Sequence, residues 1–465
     1  MTRREALRGG ARVVAGLGIA GQVLAATGSV DAAAGATRAL AARSGKPGYG
    51  PLVVRTGEMS LPAGFSAVAF GAAGDPMSDG LPTPGFHDGT VVVSAGRGRV
   101  RVIRNHEGYD TGRALGPDRA YDRVAQGGVT STLFDTRTGT VVGSGLVLNG
   151  TDNNCNGGRT PWGTWLSCEE NTEGREAGFE RPHGYVFEVP FAAAGPVEPL
   201  PIRPMGRFVH EAAAVDPRTS IVYMTEDNGD PGDGFYRYVP DQPRKLGRGG
   251  TLQMLAVEGR SGYDATRGQR VGRRLACEWV TIDDPDPSDA GTRPQAVYQQ
   301  GRDKGAANFL ALEGGTWARG SVYFVSSEGG DAEKGQIWRY TPQGRAKGTL
   351  TLLYESPGEG RLDEPDALCV SPRGGLVICE DGDGDDQGGT NFIRSLGPDG
   401  RIAPFARNDT PLDVAAFDDE VKKGTIGRSE FAGAAFSPDA QWLFVHIQYP
   451  GKSFAITGPW GKGWL

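Results

Sequence analysis

Hydrophobic and polar residues follow one repeated pattern along much of the chain. A candidate metal ligand is followed by a short apolar segment, a turn, a second apolar segment and an acidic residue. The copies read NNCNGGRTPWGTWLSCEEN from Asn153, HEAAAVDPRTSIVYMTEDNGD from His210, LEGGTWARGSVYFVSSEGGD from Leu312 and PDALCVSPRGGLVICEDGDGD from Pro365. Short apolar segments separated by turns are typical of antiparallel strands. Each copy therefore predicts a pair of β-strands.

The spacing inside these copies is nearly constant. The first ligand and the terminal acid are 14 or 15 positions apart in the pairs Glu211 and Glu226, Glu313 and Glu328, Asp366 and Glu380, and Cys155 and Glu169. Cys155 therefore occupies the position at which the other copies carry a carboxylate. A fifth copy, AGAAFSPDAQWLFVHIQYPG, keeps the strands without the acid, and FHDGTVVVSAGRGRVRVIRNHEG near the start is a looser sixth.

The length of the repeat indicates the architecture. A period of about 50 residues matches one four-stranded blade of a β-propeller. The chain contains 74 glycines and 31 prolines, which supply the many turns that such a fold needs. We predict an all-β fold, a six-bladed β-propeller with loop insertions, formed as a single domain by residues 45–465. The first strand of each blade lines the central channel, so the aligned ligands are expected to converge there.

Convergence of these acids predicts bound cations. Carboxylates and a thiolate that face one channel repel each other unless cations neutralise them. Carboxylate oxygens suit calcium, whereas a thiolate suits a softer metal such as iron. The acidic stretch EDGDGDDQGG begins at Glu380 and places Asp381, Asp383 and Asp385 at alternating positions, as calcium-binding loops do. The alternative is that these acids are turn residues on a solvated face.

Charge and composition exclude several other functions. The formal net charge of −7 at pH 7 argues against nucleic acid or an anionic membrane surface as the main partner. The five histidines are too few for a comfortable multi-histidine zinc site. The chain has no G-x-S-x-G motif and no G-x-x-x-x-G-K-[ST] motif, so a serine hydrolase and a P-loop enzyme find no support. Cys369 and Cys379 lie on neighbouring predicted strands and either pair or remain thiols.

The N-terminus predicts export. Arg3 and Arg4 precede a mildly apolar, glycine-rich stretch and then small residues, as in a twin-arginine signal peptide, although Ala6 stands where phenylalanine is usual. We predict that residues 1–44 form this signal and a flexible leader. The twin-arginine translocase is then a partner during export, the mature chain is periplasmic or extracellular, and no stable membrane span is expected.

With these residues identified, the sequence resembles the PhoX-type alkaline phosphatase family of exported six-bladed propellers. The matching stretches are NCNGGRTPWGTWLSCEEN, GRFVHEAAAVDP, VYMTEDNGDPGDGFYRYVP, EPDALCVSPRGGLVICEDG and EFAGAAFSPDAQWLFVHIQYPG. The family binds iron and calcium in the channel and uses one cysteine as an iron ligand. The resemblance therefore implies iron and calcium as cofactors, with Cys155 as that cysteine.

The resemblance also implies further ligands and shows two departures. The implied carboxylate ligands are Glu211, Glu313 and Asp366, with Glu169, Glu170 and Asp227 as additional candidates. Independently of the resemblance, the acidic loop adds Glu380 and Asp381 as candidate ligands. A family arginine that holds the substrate phosphate is replaced here by Ala311. His446 stands where the family usually has asparagine.

Together these features predict an exported metal-dependent hydrolase of phosphate esters. Metal ions act in such an enzyme as Lewis acids on the phosphoryl oxygens, so that no protein nucleophile is required. Arg207 and His210, which lie close to Glu211 in sequence, are candidates for contacts with the substrate or with the ligands. Two alternatives remain open. One is a calcium-dependent lactonase or esterase on the same architecture, and the other is a non-catalytic propeller whose cations brace a binding surface.

Overall fold

The computed structural model describes residues 48–54, 58–109, 111–358, 360–382, 390–410 and 429–465. The predicted signal peptide and leader, residues 1–44, lie outside the described residues, as do Asp383 and Asp385 of the acidic loop. The described part of the chain consists almost entirely of strands and turns, with one α-helix, α1 (Ala296–Asp303). None of the helices in the described ranges has the length and apolar character needed to cross a bilayer.

The strands form because short apolar, β-branched and aromatic segments are bounded by turns. They are β1 (Leu52–Val54), β2 (Met59–Pro62), β3 (Ser66–Phe70), β4 (His87–Gly96), β5 (Arg99–His106), β6 (Gly127–Asp135), β7 (Thr140–Thr151), β8 (Gly158–Arg159), β9 (Thr164–Cys168), β10 (Val186–Pro190), β11 (His210–Val215), β12 (Val222–Glu226) and β13 (Phe235–Pro240). The later strands are β14 (Gly250–Val257), β15 (Arg274–Thr281), β16 (Leu312–Ala318), β17 (Ser321–Ser326), β18 (Gln336–Gln343), β19 (Lys347–Glu355), β20 (Pro365–Val370), β21 (Leu376–Glu380), β22 (Phe392–Leu396), β23 (Ile402–Asn408), β24 (Phe431–Phe436), β25 (Trp442–Ile447) and β26 (Lys452–Thr457). Each predicted copy supplies an antiparallel pair: β8 with β9, β11 with β12, β16 with β17, β20 with β21 and β24 with β25.

The described strands assemble into five sheets. Their orders are β4-β5-β6-β7, β10-β9-β8, β11-β12-β13-β14-β15-β19-β18-β17-β16, β1-β2-β23-β22-β21-β20 and β24-β25-β26-β3. Strands at the inner edges of these sheets contact each other in a ring, because β4 lies beside β8, β8 beside β11, β11 beside β16, β16 beside β20, β20 beside β24 and β24 beside β4. This ring of antiparallel sheets confirms the predicted all-β, propeller-like fold. The number of blades stays a prediction, because β15 pairs with β19 and so joins nine strands into one sheet.

The two ends of the chain close the ring together. Strand β3 pairs with β26, and β2 pairs with β23, so N-terminal strands complete two C-terminal sheets. Between these sheets Tyr49, Phe65, Phe405 and Trp460 pack edge to face, with the Phe65 and Trp460 ring centroids 4.8 Å apart. Aromatic packing of this kind adds to the burial of apolar surface. The closure supports the prediction of a single domain over residues 45–465, which stays a prediction.

Candidate metal centre

A carboxylate occupies the second position of four inner strands. These residues are Asp88 in β4, Glu211 in β11, Glu313 in β16 and Asp366 in β20. In each strand the pairing register shifts directly at this position, which marks a β-bulge. A bulge breaks the regular alternation of side chains and turns one residue out of the ladder. The repeated bulge therefore gives the four carboxylates the same position at the start of their strands.

Glycines allow the inner strands to approach at these bulges. A Cβ added to Gly89 would lie 1.8 Å from the backbone oxygen of Asn156, and one added to Gly158 would lie 1.5 Å from the oxygen of Ala213. Both distances are far below a van der Waals contact, so a side chain at either position would push neighbouring strands apart. The close approach brings the ends of successive inner strands, and the acids that they carry, toward one another.

A second set of acids follows the second strand of four of the strand pairs. Glu107 comes directly after β5, Asp227 after β12 and Asp381 after β21. Glu170 follows Glu169, which forms an isolated bridge with Asn154 beyond the end of β9. Because the second strand runs antiparallel to the first, its C-terminal end lies beside the bulged end of the inner strand. The two sets of acids therefore meet at the same end of the ring.

Seven of these carboxylates and Cys155 form what we call the acidic cluster. The cluster contains four groups of three residues, and within each group one ligand atom from every residue lies within 4.8 Å of those of the other two. The groups are Asp88, Glu107 and Cys155; Cys155, Glu170 and Glu211; Glu170, Asp227 and Glu313; and Glu211, Glu313 and Asp366. Cys155, Glu170, Glu211 and Glu313 each belong to two groups, so the four groups form one connected cluster. Asp227 is partly exposed, and the other seven residues are buried. The acidic cluster combines seven carboxylates with one thiol in a setting that disfavours uncompensated negative charge.

Burial and mutual repulsion raise the pKa values of two acids in this region, Asp88 and Glu430. Burial, followed by the charges of Glu107, Asp366 and Glu211, raises the pKa of Asp88 well above its usual range. Glu430, which immediately precedes β24, has its pKa raised in the same direction by burial and then by neighbours that include Asp381 and Asp366. The carboxylate oxygen Oδ1 of Asp88 is buried and has no hydrogen-bond donor among the described residues. A cation bound among these groups would remove the repulsion and satisfy such an oxygen, so the residues present fit a metal ion.

Cys155 lies at the junction of two of the groups. Its Sγ contacts a carboxylate oxygen of Glu107 and one of Glu170. A thiol has one proton and cannot donate to both carboxylates at once, whereas a cation would be shared by the sulfur and both oxygens. The backbone holds Cys155 in place, because its N–H donates to the carbonyl of Cys168 at 3.1 Å.

Asn156 and Gln448 hold cluster carboxylates by hydrogen bonds. The Nδ2 of Asn156 donates to Glu211 at 2.7 Å and to Asp366 at 3.4 Å, and so links two inner strands. The Nε2 of Gln448 donates to Glu107. Amide donors of this kind orient a carboxylate without adding charge, so they fix the positions of ligands before any cation binds.

Glu169 lies outside the four groups, although the sequence predicts it as a ligand. Its Oε1 accepts from the Asp152 N–H at 3.0 Å and lies 2.7 Å from Nδ1 of His183. Its Oε2 accepts from the N–H groups of Gly184 and Tyr185. Four protein partners occupy this carboxylate, so the structure gives Glu169 a role in holding the turn after β9.

Glu380 likewise does not belong to the four groups. Nε of Arg394 donates to its Oε1 at 2.6 Å, and the Phe392 N–H donates to its Oε2 at 3.0 Å. Burial raises the pKa of Glu380 to about 7 even though Arg394 opposes the shift. Its sequence neighbour Asp381 is also absent from the four groups, but its charge acts on Glu430. Asp381 therefore lies near the acidic cluster, whereas Glu380 faces its own sheet.

Arg207 and His210 have partners away from the acidic cluster. The Arg207 guanidinium is buried and donates to the carbonyls of His183 at 2.9 Å and Thr172 at 2.7 Å. The His210 ring is fully buried, its centroid lies 3.6 Å from that of Phe208, and burial lowers its pKa to about 4. The structure thus places both side chains in the protein interior, and their predicted contacts with substrate gain no support from it.

Two members of the acidic cluster were missed by sequence reasoning, and each has a sequence signal. Asp88 follows His87 in the looser sixth copy as Glu211 follows His210, so the alignment of FHDG with VHEA would have identified it. Glu107 stands in NHEG after the second strand of that copy. Glu430 was also missed, and its position before β24 has no counterpart in the predicted pattern.

The fold is shared with a solved structure, and the sequence matches a family model. No curated protein sequence matches the chain. The structure of Pseudomonas fluorescens PhoX in complex with vanadate, a transition state analogue, is 19% identical with a TM-score of 0.64, and the match covers 90% of this chain and 99% of that one. A gluconolactonase from Xanthomonas campestris is 13% identical with a TM-score of 0.43, over 90% of this chain and 99% of that one. The profile of the family "Alkaline phosphatase PhoX" matches residues 136–451, which is more than half of the chain. The protein therefore belongs to the PhoX alkaline phosphatase family.

Proposed function

We propose that this protein is an exported, metal-dependent hydrolase of phosphate esters. The observation that carries the proposal is the acidic cluster, in which four inner strands and the loops beside them bring seven carboxylates and one thiol together. Membership of the PhoX family supports a phosphatase rather than another use of such a cluster. Export through the twin-arginine pathway is part of the proposal and rests on Arg3 and Arg4 in the N-terminal sequence.

The chemistry of the donor atoms suggests how the cluster divides between metals. Cys155 with Glu107 and Glu170 offers a thiolate and carboxylates, a donor set that suits iron. Glu211, Glu313 and Asp366 offer oxygen atoms alone, which suits calcium. When bound, these ions supply Lewis-acid stabilisation of negative charge on the phosphoryl oxygens.

The protein's own residues prepare the site for this chemistry. Asn156 holds Glu211 and Asp366, and Gln448 holds Glu107, so three carboxylates are oriented before a substrate arrives. Burial keeps bulk water from screening the charges of the cluster. A site that is organised in advance does not need to reorganise as charge develops in the transition state.

Ala311, which the family resemblance aligns with a substrate-binding arginine, also bears on the substrate. Ala311 is 1% exposed, and its N–H donates to Oδ2 of Asp233. The alanine side chain has no hydrogen-bond donor with which to hold a phosphate. Recognition of the phosphoryl group is therefore assigned to the metal ions and not to a guanidinium at this position.

The proposal is tested with metal-loaded protein on three substrate classes. We expect hydrolysis of an aryl phosphomonoester, loss of that activity on treatment with a chelator, and recovery on addition of calcium together with ferrous or ferric iron. A phosphodiester and a lactone serve as comparison substrates. Hydrolysis of the lactone without hydrolysis of either phosphate ester would establish the lactonase alternative. Inactivity of fully metal-loaded protein on all three would favour a binding protein.

A further inference from the structure

Three aromatic side chains form a cluster beside the metal centre. The ring centroid of Phe86 lies 5.0 Å from that of Tyr109 and 5.3 Å from that of Tyr449. The three residues come from segments that are distant in sequence, and Phe86 is the member that contacts both others. We call this set the aromatic cluster.

Each member is attached to a residue of the metal site. Phe86 precedes Asp88 by two positions, Tyr109 follows Glu107 by two positions, and Tyr449 follows Gln448, whose amide donates to Glu107. The Glu107 N–H donates to the Phe86 carbonyl at 2.9 Å. The aromatic cluster therefore lies at the end of the inner strand at which Asp88 and Glu107 enter the acidic cluster.

The aromatic cluster is accessible, in contrast to most large aromatic side chains of the protein. Tyr109 is 43% exposed, and Phe86 and Tyr449 are partly exposed. Elsewhere, Tyr236, Phe235 and similar rings are fully buried in the sheets. Exposed aromatic surface next to a polar site is a common feature of ligand-binding pockets, which combine aromatic walls with a few convergent polar groups.

The backbone conformation of Phe86 supports a ligand-binding role for the aromatic cluster. Its φ is +47°, in the left-handed region that a bulky side chain rarely adopts. Residues held in such conformations concentrate at ligand-binding and active sites, because the surrounding structure must compensate for the strain. Here the strained residue is the one that joins Tyr109 to Tyr449.

We propose that the aromatic cluster is the subsite for the leaving group of the phosphate ester, and that it favours a planar aromatic group. This inference rests on the proposed phosphatase function. A phosphoryl group bound at the acidic cluster places its ester oxygen and leaving group toward the neighbouring surface, where these rings offer a stacking partner. Tyrosine contributes a large apolar face together with a polar tip, which suits a partly solvated aromatic ligand.

Substrate preference in variants tests the subsite. For Tyr109→Ala and for Tyr449→Ala, we expect kcat/KM for phenyl phosphate to fall about 10-fold relative to kcat/KM for glycerol 3-phosphate, as about 1.4 kcal/mol of lost stacking would produce. The matched variants Tyr109→Phe and Tyr449→Phe keep the ring and should keep the wild-type ratio.

A nucleoside 5′-monophosphate is measured in parallel. A loss confined to phenyl phosphate identifies a phenyl-type group, and a loss on the nucleotide identifies a nucleobase. An unchanged ratio for both aromatic esters would overturn the proposal.

Binding of phosphonates separates this inference from the proposed function. Phenylphosphonate and methylphosphonate are not hydrolysed, and calorimetry on metal-loaded protein should show tighter binding of the phenyl compound to the wild type and a smaller difference in the alanine variants. Equal affinities of the two compounds for the wild type would overturn the subsite alone. Failure of metal-loaded wild type to bind methylphosphonate or to hydrolyse any phosphate ester would overturn the proposed function, and the subsite with it.

Discussion

Replacement of Glu211 by glutamine is expected to lower kcat/KM for an aryl phosphate by about 1000-fold or more. Glu211 belongs to two of the four groups, one with Cys155 and Glu170 and the other with Glu313 and Asp366. Glutamine has nearly the same shape but lacks the negative charge that binds a cation. The loss of several kcal/mol of Lewis-acid stabilisation corresponds to a change of about this size.

Two further glutamine variants serve as controls. Glu380→Gln removes a carboxylate that the sequence predicts as a ligand but that the structure pairs with Arg394, and it should lower stability while metal content remains. Glu258→Gln changes a surface residue that pairs with Lys347 and should leave activity within about twofold of the wild type. The assignment of the cluster would be contradicted by a Glu211→Gln variant that keeps wild-type activity, or by a Glu380→Gln variant that loses its metal.

Metal removal is expected to make stability fall steeply with rising pH. In the metal-free protein, burial and neighbouring carboxylates raise the pKa values of Asp88 and Glu430 well above their usual range. The folded state then keeps protons that the unfolded chain loses near pH 4. The stabilisation that these groups contribute is complete below that pH and is lost as the pH rises through the raised values in the folded state. Bound cations would oppose this loss, because they stabilise the ionised carboxylates.

Urea unfolding of chelator-treated and calcium-loaded protein at pH 5 and pH 8.5 measures this effect. We expect the midpoint of the metal-free protein to fall by about 1 M or more between the two pH values, and that of the loaded protein to fall much less. Glu226 has its pKa raised by burial to about 8 but lies outside the four groups, so its contribution is common to both samples. Parallel decreases in the two samples would show that cations do not bind among these acids.

The fold and four of the eight members of the acidic cluster could be predicted from local periodicity, and the family resemblance added Glu170 and Asp227. Paired apolar segments at a regular spacing indicate repeated strand pairs, and aligned positions in such pairs converge in a ring. This reasoning found Cys155, Glu211, Glu313 and Asp366. The alignment of Cys155 with the three carboxylates has a structural basis, because all four lie at the start of an inner strand or just before one.

The remaining assignments depended on which face of a strand a residue occupies. At the end of the second strand the repeat spacing selected Glu169 and Glu380, whereas the structure pairs both carboxylates with other protein groups. Glu170, which the family resemblance added as a candidate, belongs to the acidic cluster. Successive side chains of a strand point in opposite directions, so an error of one position exchanges a ligand for a structural carboxylate. Spacing alone does not reveal this, because a bulge changes the alternation locally.

The contacts of Arg207 and His210 illustrate a second limit. Both lie within four positions of Glu211, but proximity in sequence at the entrance of a strand does not determine the direction of a side chain. Their partners include Thr172, in the loop after β9, and Phe208, just before β11. Such contacts follow from tertiary structure and have no periodic signal.

The metal content of three purified proteins tests the central claim most directly. Elemental analysis of wild type, Cys155→Ser and Cys168→Ser compares the thiol in the acidic cluster with a buried thiol at the end of β9 that packs in an apolar core. We predict iron together with calcium in the wild type and in Cys168→Ser. Iron should fall sharply in Cys155→Ser, because serine lacks the soft donor, while calcium is partly retained by the carboxylates. Equal iron in all three proteins, or a wild type that binds neither metal, would contradict the claim that this ring of acids and one thiol is a metal centre.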